Sequence, residues 1–84
     1  SYHAPVTFHV QPGSLMGNVK RIARAYCWPK VVWALDDDYM WTGSSTIHAA
    51  NLQSAFAILL ADYPIQAIFY DGNHVLLIRP RQLS

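Results

Sequence analysis

The chain has 84 residues and a mass of 9.5 kDa, which suits a single domain with a thin hydrophobic core. Apolar residues make up 52% of it and charged residues only 13%, a composition that excludes intrinsic disorder. The formal net charge is +1, which argues against general nucleic-acid binding because such binding needs concentrated positive charge.

The chain carries a single cysteine, Cys27, so it can form neither an internal disulfide nor a zinc site of several thiolates. The longest apolar run, residues 55–61, is far shorter than the roughly 20 residues of a membrane span. No signal segment is recognisable at the start, which is a serine rather than an initiator methionine. We expect a domain of a longer protein, with a flexible lead-in at 1–5, the fold at 6–80 and a tail at 81–84.

The first elements are a strand and a helix. Residues 6–10 alternate apolar and polar side chains, which predicts a half-buried strand with Thr7 and His9 on its outward face. Ser14 then stands at the position of a helix N-cap, and Pro29 ends the helix because proline lacks the backbone donor. The apolar stripe of this helix consists of Leu15, Val19, Ile22, Ala23 and Tyr26.

The middle of the chain predicts two strands and a second helix. Residues 31–35 are apolar on both faces, residues 36–38 form an acidic turn, and a short strand lies around 46–48. Asn51 is a second N-cap candidate, and Pro64 ends the helix that follows. The apolar stripe of this helix consists of Leu52, Ala55, Phe56, Leu59, Leu60 and Tyr63.

The chain closes with two β-rich runs, 65–70 and 74–79, joined by Asp71-Gly72-Asn73, a strong hairpin signal. The full order is β-α-β-β-α-β-β, which predicts one small α+β domain. Strands that are apolar on both faces indicate either that the helices lie between sheets or that one sheet face is left for a partner.

The chain contains residue types that can bind metal ions, but not at the spacing that a metal site requires. The histidines His3, His9, His48 and His74 show no metal-ligand spacing, so we interpret them as structural or solvent-facing. The acidic run 36–38 does not match a calcium loop, and the chain contains no glutamate, so a solvated turn is the better interpretation.

Nucleophilic catalysis is equally unsupported. Residues 13–17 form neither a nucleophile elbow nor a phosphate-binding loop, and Ser14 is better explained as a helix cap. Cys27 follows the C-terminus of a helix, where the helix dipole disfavours a thiolate. We expect no enzymatic activity, no cofactor and no metal.

Aromatic residues are crowded between positions 28 and 41, which hold all three tryptophans of the chain. Trp33, in an apolar strand, is expected in the core, whereas Tyr39 and Trp41 lie beside the acidic turn and could be exposed. Exposed Trp and Tyr are common anchors of protein contacts, and they also form platforms for sugars. The candidate partner-binding residues are Trp28, Tyr39, Trp41, Thr7 and His9.

The layout from Phe8 onward resembles a known module. It combines a strand, a Gly-Ser-Leu helix start, a helix end Ala25-Tyr26-Cys27-Trp28, a strand Val31-Val32-Trp33, Asp38-Tyr39, Ala55-x-x-x-Leu59-Leu60 and a closing hairpin at 65–78. This pattern is similar to the C-terminal domain of the toxin-coregulated-pilus protein TcpQ and to the PilL domain of type IV pilus systems. Both resemble the short N-terminal (N-zero) domain of secretins and TonB-dependent transducers. The sequence departs from the pattern where a glycine commonly follows the first helix, since Cys27-Trp28-Pro29 occupies that place here.

The resemblance implies two helices packed between a small mixed sheet and a C-terminal hairpin. It also implies a periplasmic setting at the outer membrane, with a lipoprotein as a candidate parent. The role would be to help an outer-membrane secretin assemble or dock, with a ring-like oligomer in the assembled machine. The partner would be protein, bound through a sheet edge, because unpaired edges accept strands.

The sequence is compatible with two other functions. A signal-relay domain of a TonB-dependent transducer would have the same fold and would also act through protein contacts. A peptidoglycan-binding module would use Tyr39 and Trp41 as stacking platforms for glycan.

Overall fold

A computed structural model describes residues 5–81, so most of the expected lead-in (1–5) and tail (81–84), with His3, lies outside the described residues. Seven strands and two helices follow one another in this part of the chain. In chain order they are β1 (Val6–Val10), β2 (Gly13–Ser14), α1 (Leu15–Ala25), β3 (Lys30–Trp33), β4 (Met40–Trp41), β5 (Ser45–Ala49), α2 (Leu52–Leu59), β6 (Ile65–Tyr70) and β7 (Val75–Pro80).

The strands form two main layers, which confirms the predicted α+β class. Strands β1 and β5 form an antiparallel pair, while β3, β7 and β6 form a mixed sheet in that order, with β3 parallel and β6 antiparallel to β7. The predicted C-terminal hairpin is therefore β6–β7, and β3 joins it, so the mixed sheet and the hairpin are one layer. The two-residue strands β2 and β4 pair with each other as a small addition.

Helix α2 joins the two layers through aromatic contacts. Phe56 is fully buried, and its ring lies 6.2 Å from Phe8 of β1 and 5.6 Å from Phe69 of β6 (centroid distances). Aromatic rings at such separations and tilts stabilise each other beyond the area they bury. The rest of the core surrounds this row; it includes Val10, Leu15, Val19, Ile22, Leu59, Leu60, Ile65, Leu76 and Ile78.

Both predicted N-caps are confirmed. The Ser14 side chain accepts a hydrogen bond from the Gly17 N–H at 2.9 Å, and the Asn51 side chain accepts one from the Ser54 N–H at 2.8 Å. Each cap satisfies a backbone donor that a helix leaves unpaired in its first turn.

Helix α2 ends at Leu59, so the expected extension to Tyr63 is wrong. Residues 60–64 turn instead, and their carbonyls find a donor outside the helix. The Arg81 guanidinium donates to the carbonyls of Leu60 (3.2 Å), Tyr63 (3.0 Å) and Ile65 (3.3 Å). A distant arginine thus satisfies carbonyls that follow the end of the helix, and periodicity cannot reveal such a partner.

Helix α1 ends in a left-handed turn at Cys27, whose φ is 68°. The Trp28 N–H donates to the Ala23 carbonyl at 2.8 Å, and the Cys27 N–H donates to the Arg24 carbonyl at 3.2 Å. These two bonds define a Schellman motif, in which glycine is the usual left-handed residue. Cys27 therefore occupies a glycine position, at a conformational cost that glycine avoids.

The mixed sheet buries only one of its faces. Val31 and Trp33 pack against the core, while Val32 points outward and is 48% exposed. The strand register sets Val32 beside Leu77, and Leu77 beside Ile68. Residues 31–33 are therefore continuously apolar although only one face of β3 is buried. The apolar residue on the other face, Val32, belongs to a row of apolar side chains on the outer face of the sheet.

Phe56→Ala should lower the free energy of unfolding by about 3–5 kcal/mol, because it removes the ring that contacts both layers and leaves a cavity. Urea unfolding followed by circular dichroism measures this. Ile58→Ala is the matched control, since Ile58 lies on the same helix but is 53% exposed, and it should change stability by no more than about 0.5 kcal/mol. Equal losses in the two variants would contradict the central role of Phe56.

Cys27→Gly should raise the free energy of unfolding by about 1 kcal/mol, because glycine adopts the left-handed conformation without strain. Cys27→Ala removes the same thiol but keeps a Cβ, so it should show no such gain. Urea midpoints of the three proteins provide the comparison. A gain in the alanine variant as large as that in the glycine variant would locate the effect in the thiol rather than in the backbone.

Candidate interaction surface

The three aromatic residues predicted as partner anchors lie at opposite ends of α1. The Leu15 N–H, at the start of the helix, donates to the Tyr39 carbonyl at 2.7 Å, whereas Trp28 follows the helix C-terminus. A helix of 11 residues is about 16 Å long at roughly 1.5 Å per residue. Trp28 therefore does not share a surface with Tyr39 and Trp41.

Trp28 is half-buried between two rings. It stacks face to face on His74, with centroids 4.4 Å apart and planes 5° from parallel, and meets the edge of Phe69 at 5.0 Å. His74 holds a left-handed backbone conformation (φ 54°) in the β6–β7 turn, so that turn takes its left-handed residue from His74 rather than from Gly72. Trp28 thus closes the end of α1 over the hairpin, and only part of its ring is left for a partner.

Tyr39 and Trp41 form an aromatic cluster with Tyr63. The Tyr63 ring centroid lies 5.2 Å from that of Tyr39 and 6.2 Å from that of Trp41. The Tyr63 hydroxyl donates to the Met40 carbonyl at 3.2 Å, and burial together with the nearby Asp62 carboxylate raises the pKa of Tyr63. Tyr63 was expected inside a helix, so its role here was missed.

Met40 is the most exposed of the large hydrophobic side chains among the described residues. It lies between the two predicted anchors and is 66% exposed, while Tyr39 and Trp41 are half-buried. The alternation of a short strand explains this, because β4 pairs with β2 and successive side chains point to opposite faces. The exposed Met40 side chain is not part of the core. Methionine is flexible and adapts well to the surface of a partner.

Asp38 fixes the position of this segment. One carboxylate oxygen accepts from the Met16 N–H (2.9 Å) and from the Tyr39 N–H (2.8 Å), and the other accepts from the Ser14 hydroxyl. The acidic run was predicted to be only a solvated turn; Asp38 is exposed but also caps α1. A carboxylate suits this position because the N-terminus of a helix carries partial positive charge.

The same contacts set the protonation behaviour of Asp38. Desolvation raises its pKa, but the hydrogen bonds from Ser14, Met16 and Tyr39 favour the charged form and together hold the pKa below its ordinary value of 3.8. The charged carboxylate therefore contributes to the stability of the fold at neutral pH.

Trp41 has an unusual environment for its polar group. Its indole N–H is buried and has no hydrogen-bond acceptor among the described residues. A buried donor without a partner costs about 1–3 kcal/mol, which the packing of the large ring against Tyr63 and the core offsets. Because Trp41 packs in this way, substitution of its ring would disturb the fold as well as any binding.

The outward face of the β1–β5 pair carries a second group of polar residues. Thr7 Oγ1 and His48 Nδ1 share a hydrogen bond of 3.0 Å, and Thr46 Oγ1 and His9 Nδ1 share one of 2.8 Å. These are cross-strand neighbours in the register. The outward placement of Thr7 and His9 agrees with the predicted alternation, while their partners on β5 come from a pairing that the sequence pattern does not specify.

The backbone edge of β1 is occupied by side chains from α1 and the residue after it. The Tyr26 hydroxyl donates to the Thr7 carbonyl at 3.0 Å, and Arg21 Nη2 donates to the His9 carbonyl at 2.9 Å. A strand adding to this edge would have to displace both donors.

Within residues 5–81, no group of three or more His, Cys, Asp or Glu side chains is placed to hold a metal ion. In the same range, neither helix has the length and apolar character required to cross a membrane.

Asp38→Asn should reduce stability at neutral pH, because it removes the charge that the hydrogen-bond donors stabilise. The folded-state pKa is lowered, so this contribution is present above pH 3.8 and is lost as the pH falls through the folded-state value. The wild type and the variant should therefore converge in urea midpoint at acidic pH. Asp37→Asn is the control and should follow the wild-type profile; parallel profiles for wild type and Asp38→Asn would contradict this assignment.

No protein-family model matches the chain, and no curated protein matches it in sequence. The solved NMR structure of Xanthomonas VirB7 is similar to it, with a TM-score of 0.60 at 19% sequence identity. The alignment covers 94% of this chain and 70% of that chain. At this identity the similarity concerns the fold, and it agrees with the small α+β domain described above.

Proposed function

We propose that this chain is a non-enzymatic docking module of a bacterial envelope secretion, conjugation or type IV pilus apparatus. The observation that carries the proposal is the Tyr39–Trp41 segment, which presents a 66%-exposed Met40 from a position fixed by Asp38. An apolar side chain that projects from a fixed backbone segment binds a partner at lower entropic cost, because the backbone needs no further ordering.

The fold supports the same class of function. Xanthomonas VirB7, whose fold is similar, is a type IV secretion system component. The N-zero and TcpQ-type domains that the sequence resembles are also modules of envelope machines. We therefore propose a periplasmic location at the outer membrane and a role in assembling or docking an outer-membrane secretin or the corresponding channel protein.

Protein contact is favoured over glycan binding by the packing of the aromatic cluster. Sugar platforms need a free aromatic face, whereas Tyr39 and Trp41 both pack against Tyr63 and the core and are half-buried. Met40 adds a flexible apolar group, which suits an apolar pocket in a protein partner better than a hydroxyl-rich sugar.

Met40→Asp should weaken binding of the cognate outer-membrane channel protein by at least about tenfold, since it places a charge in the apolar contact. Co-purification and then titration by isothermal calorimetry measure this. Ile58→Asp is the matched control: Ile58 is a second exposed apolar residue, 53% exposed on α2, and its substitution should leave binding unchanged. Both variants should unfold within about 0.5 kcal/mol of the wild type.

Equal binding by the wild type and Met40→Asp would contradict the proposed surface. Quenching of the tryptophan fluorescence by peptidoglycan fragments, with no binding to the channel protein, would favour a glycan-binding module instead. Loss of binding in Ile58→Asp alone would move the docking site to α2.

A further inference from the structure

The outward edges of β1, β3 and β6 differ in how they are protected. The β1 edge is occupied by Tyr26 and Arg21, as described above. The β3 edge is short and begins with Lys30 directly after Pro29, two features that discourage strand addition. Strand β6 has neither feature: its six residues, Ile65–Tyr70, contain no charge and no proline.

The backbone pattern of β6 shows which groups its edge offers. The Arg81 N–H donates to the Pro64 carbonyl at 2.9 Å, so positions 64 and 81 form a hydrogen-bonded pair of the antiparallel ladder. Because such pairs alternate, the N–H and C=O groups of Ala67 and Phe69 point away from β7. A second bond supports this alternation: the Ala34 N–H donates to the Ile78 carbonyl. The backbone carbonyl of Ile78, which lies opposite Ala67, therefore points toward β3 and not toward β6.

These outward groups of Ala67 and Phe69 have no hydrogen-bond partner among the described residues. Arg81 reaches the carbonyl of Ile65, at the start of the strand, and no donor or acceptor of residues 5–81 bonds to the edge beyond it. Space is also present beside the strand, because a groove of about 190 Å³ lies between β6 and α2. Ala57 and Gln53 of α2 and Ile65 and Ala67 of β6 are among its lining residues.

We infer that a second copy of this chain pairs with the β6 edge, antiparallel and with its two-fold axis at Ile68. In this register Ala67 of one copy lies opposite Phe69 of the other. Each offers an outward N–H and an outward C=O, so the pair exchanges both bonds, and the two-fold axis repeats the exchange. The edge is therefore complementary to itself.

The outer face of the sheet supports the same pairing. Val32, Leu77 and Ile68 form a row across β3, β7 and β6, and Ile68 stands at the edge. In the proposed dimer, Ile68 meets Ile68 of the second copy as a non-hydrogen-bonded pair, the closer of the two antiparallel arrangements. The apolar row then continues across six strands, and no like charges of β6 oppose each other.

This inference does not depend on the proposed docking function, because it uses a different edge and a different occupant. The aromatic cluster and Met40 belong to the β2–β4 region and take no part in the β6 ladder. A dimer could exist with or without an envelope partner bound at Met40.

Sedimentation velocity between about 10 µM and 1 mM, a range suited to weak association, tests the proposal. The wild type should rise from 9.5 kDa toward twice that mass. Ile68→Lys should weaken association at least tenfold, because it sets two like charges opposite each other. Val32→Lys places the same charge in the same outer row at the far edge, and it should weaken association by less than about twofold.

Ala67→Pro provides a second test that bears on the backbone. Proline is tolerated on an edge strand where the N–H points away from the ladder, so the monomer should still fold, while the bond between copies is lost. Amide exchange measured by NMR should show the Ala67 and Phe69 amides becoming protected as the concentration of the wild type rises.

Monomeric wild type at 1 mM would overturn the proposal. So would a dimer that is unaffected by both Ile68→Lys and Ala67→Pro, since that dimer would use another surface. Protection of the two amides only after addition of the cognate channel protein would identify the occupant as an extended segment of that protein, which also contradicts pairing between copies.

Discussion

The contact of Phe56 with Phe8 on one side and Phe69 on the other is the interaction on which the rest of the structure depends. A two-stranded layer such as β1–β5 is at best marginally stable alone, and the three-stranded sheet exposes one of its faces. Neither layer could hold a defined position without the helices between them. A domain of 84 residues has few core residues to spare, so a single ring that joins both layers carries an unusual share of the packing.

Polar groups then place the surface features on this apolar frame. Asp38 holds the Tyr39–Trp41 segment against the start of α1, and Arg81 closes the turn after α2. Both act through charge-assisted hydrogen bonds to the backbone, which are stronger and more directional than neutral ones. The exposed Met40 owes its fixed position to the first of these groups. Apolar packing thus supplies most of the stability, while Asp38 both stabilises the start of α1 and positions the surface segment.

Much of the fold could be predicted from local pattern. The alternation in residues 6–10, the caps Ser14 and Asn51 and the hairpin at 65–80 each depend on neighbours within a few positions. Features that depend on distant contacts could not be predicted in this way. Asp38 can act as a cap only because the start of α1 lies beside it in the fold. Trp28 is separated from Trp41 by the length of α1. Tyr63 joins the aromatic cluster only because α2 ends at Leu59. Cys27 shows that a local pattern can also mislead. The sequence lacks the glycine that usually ends such a helix, yet Cys27 adopts the left-handed conformation that glycine would have adopted.

The position of β7 in the middle of its sheet determines how the domain responds to mechanical load. Tension applied through the C-terminal end pulls on a strand bonded to β3 on one side and β6 on the other, so both ladders must shear together before the strand leaves. Tension applied through the N-terminal end meets β1, which is paired on one side alone, with β5. Forced unfolding is governed by the unfolding barrier rather than by equilibrium stability. The domain is therefore mechanically asymmetric, with its firmer attachment at the C-terminal strand.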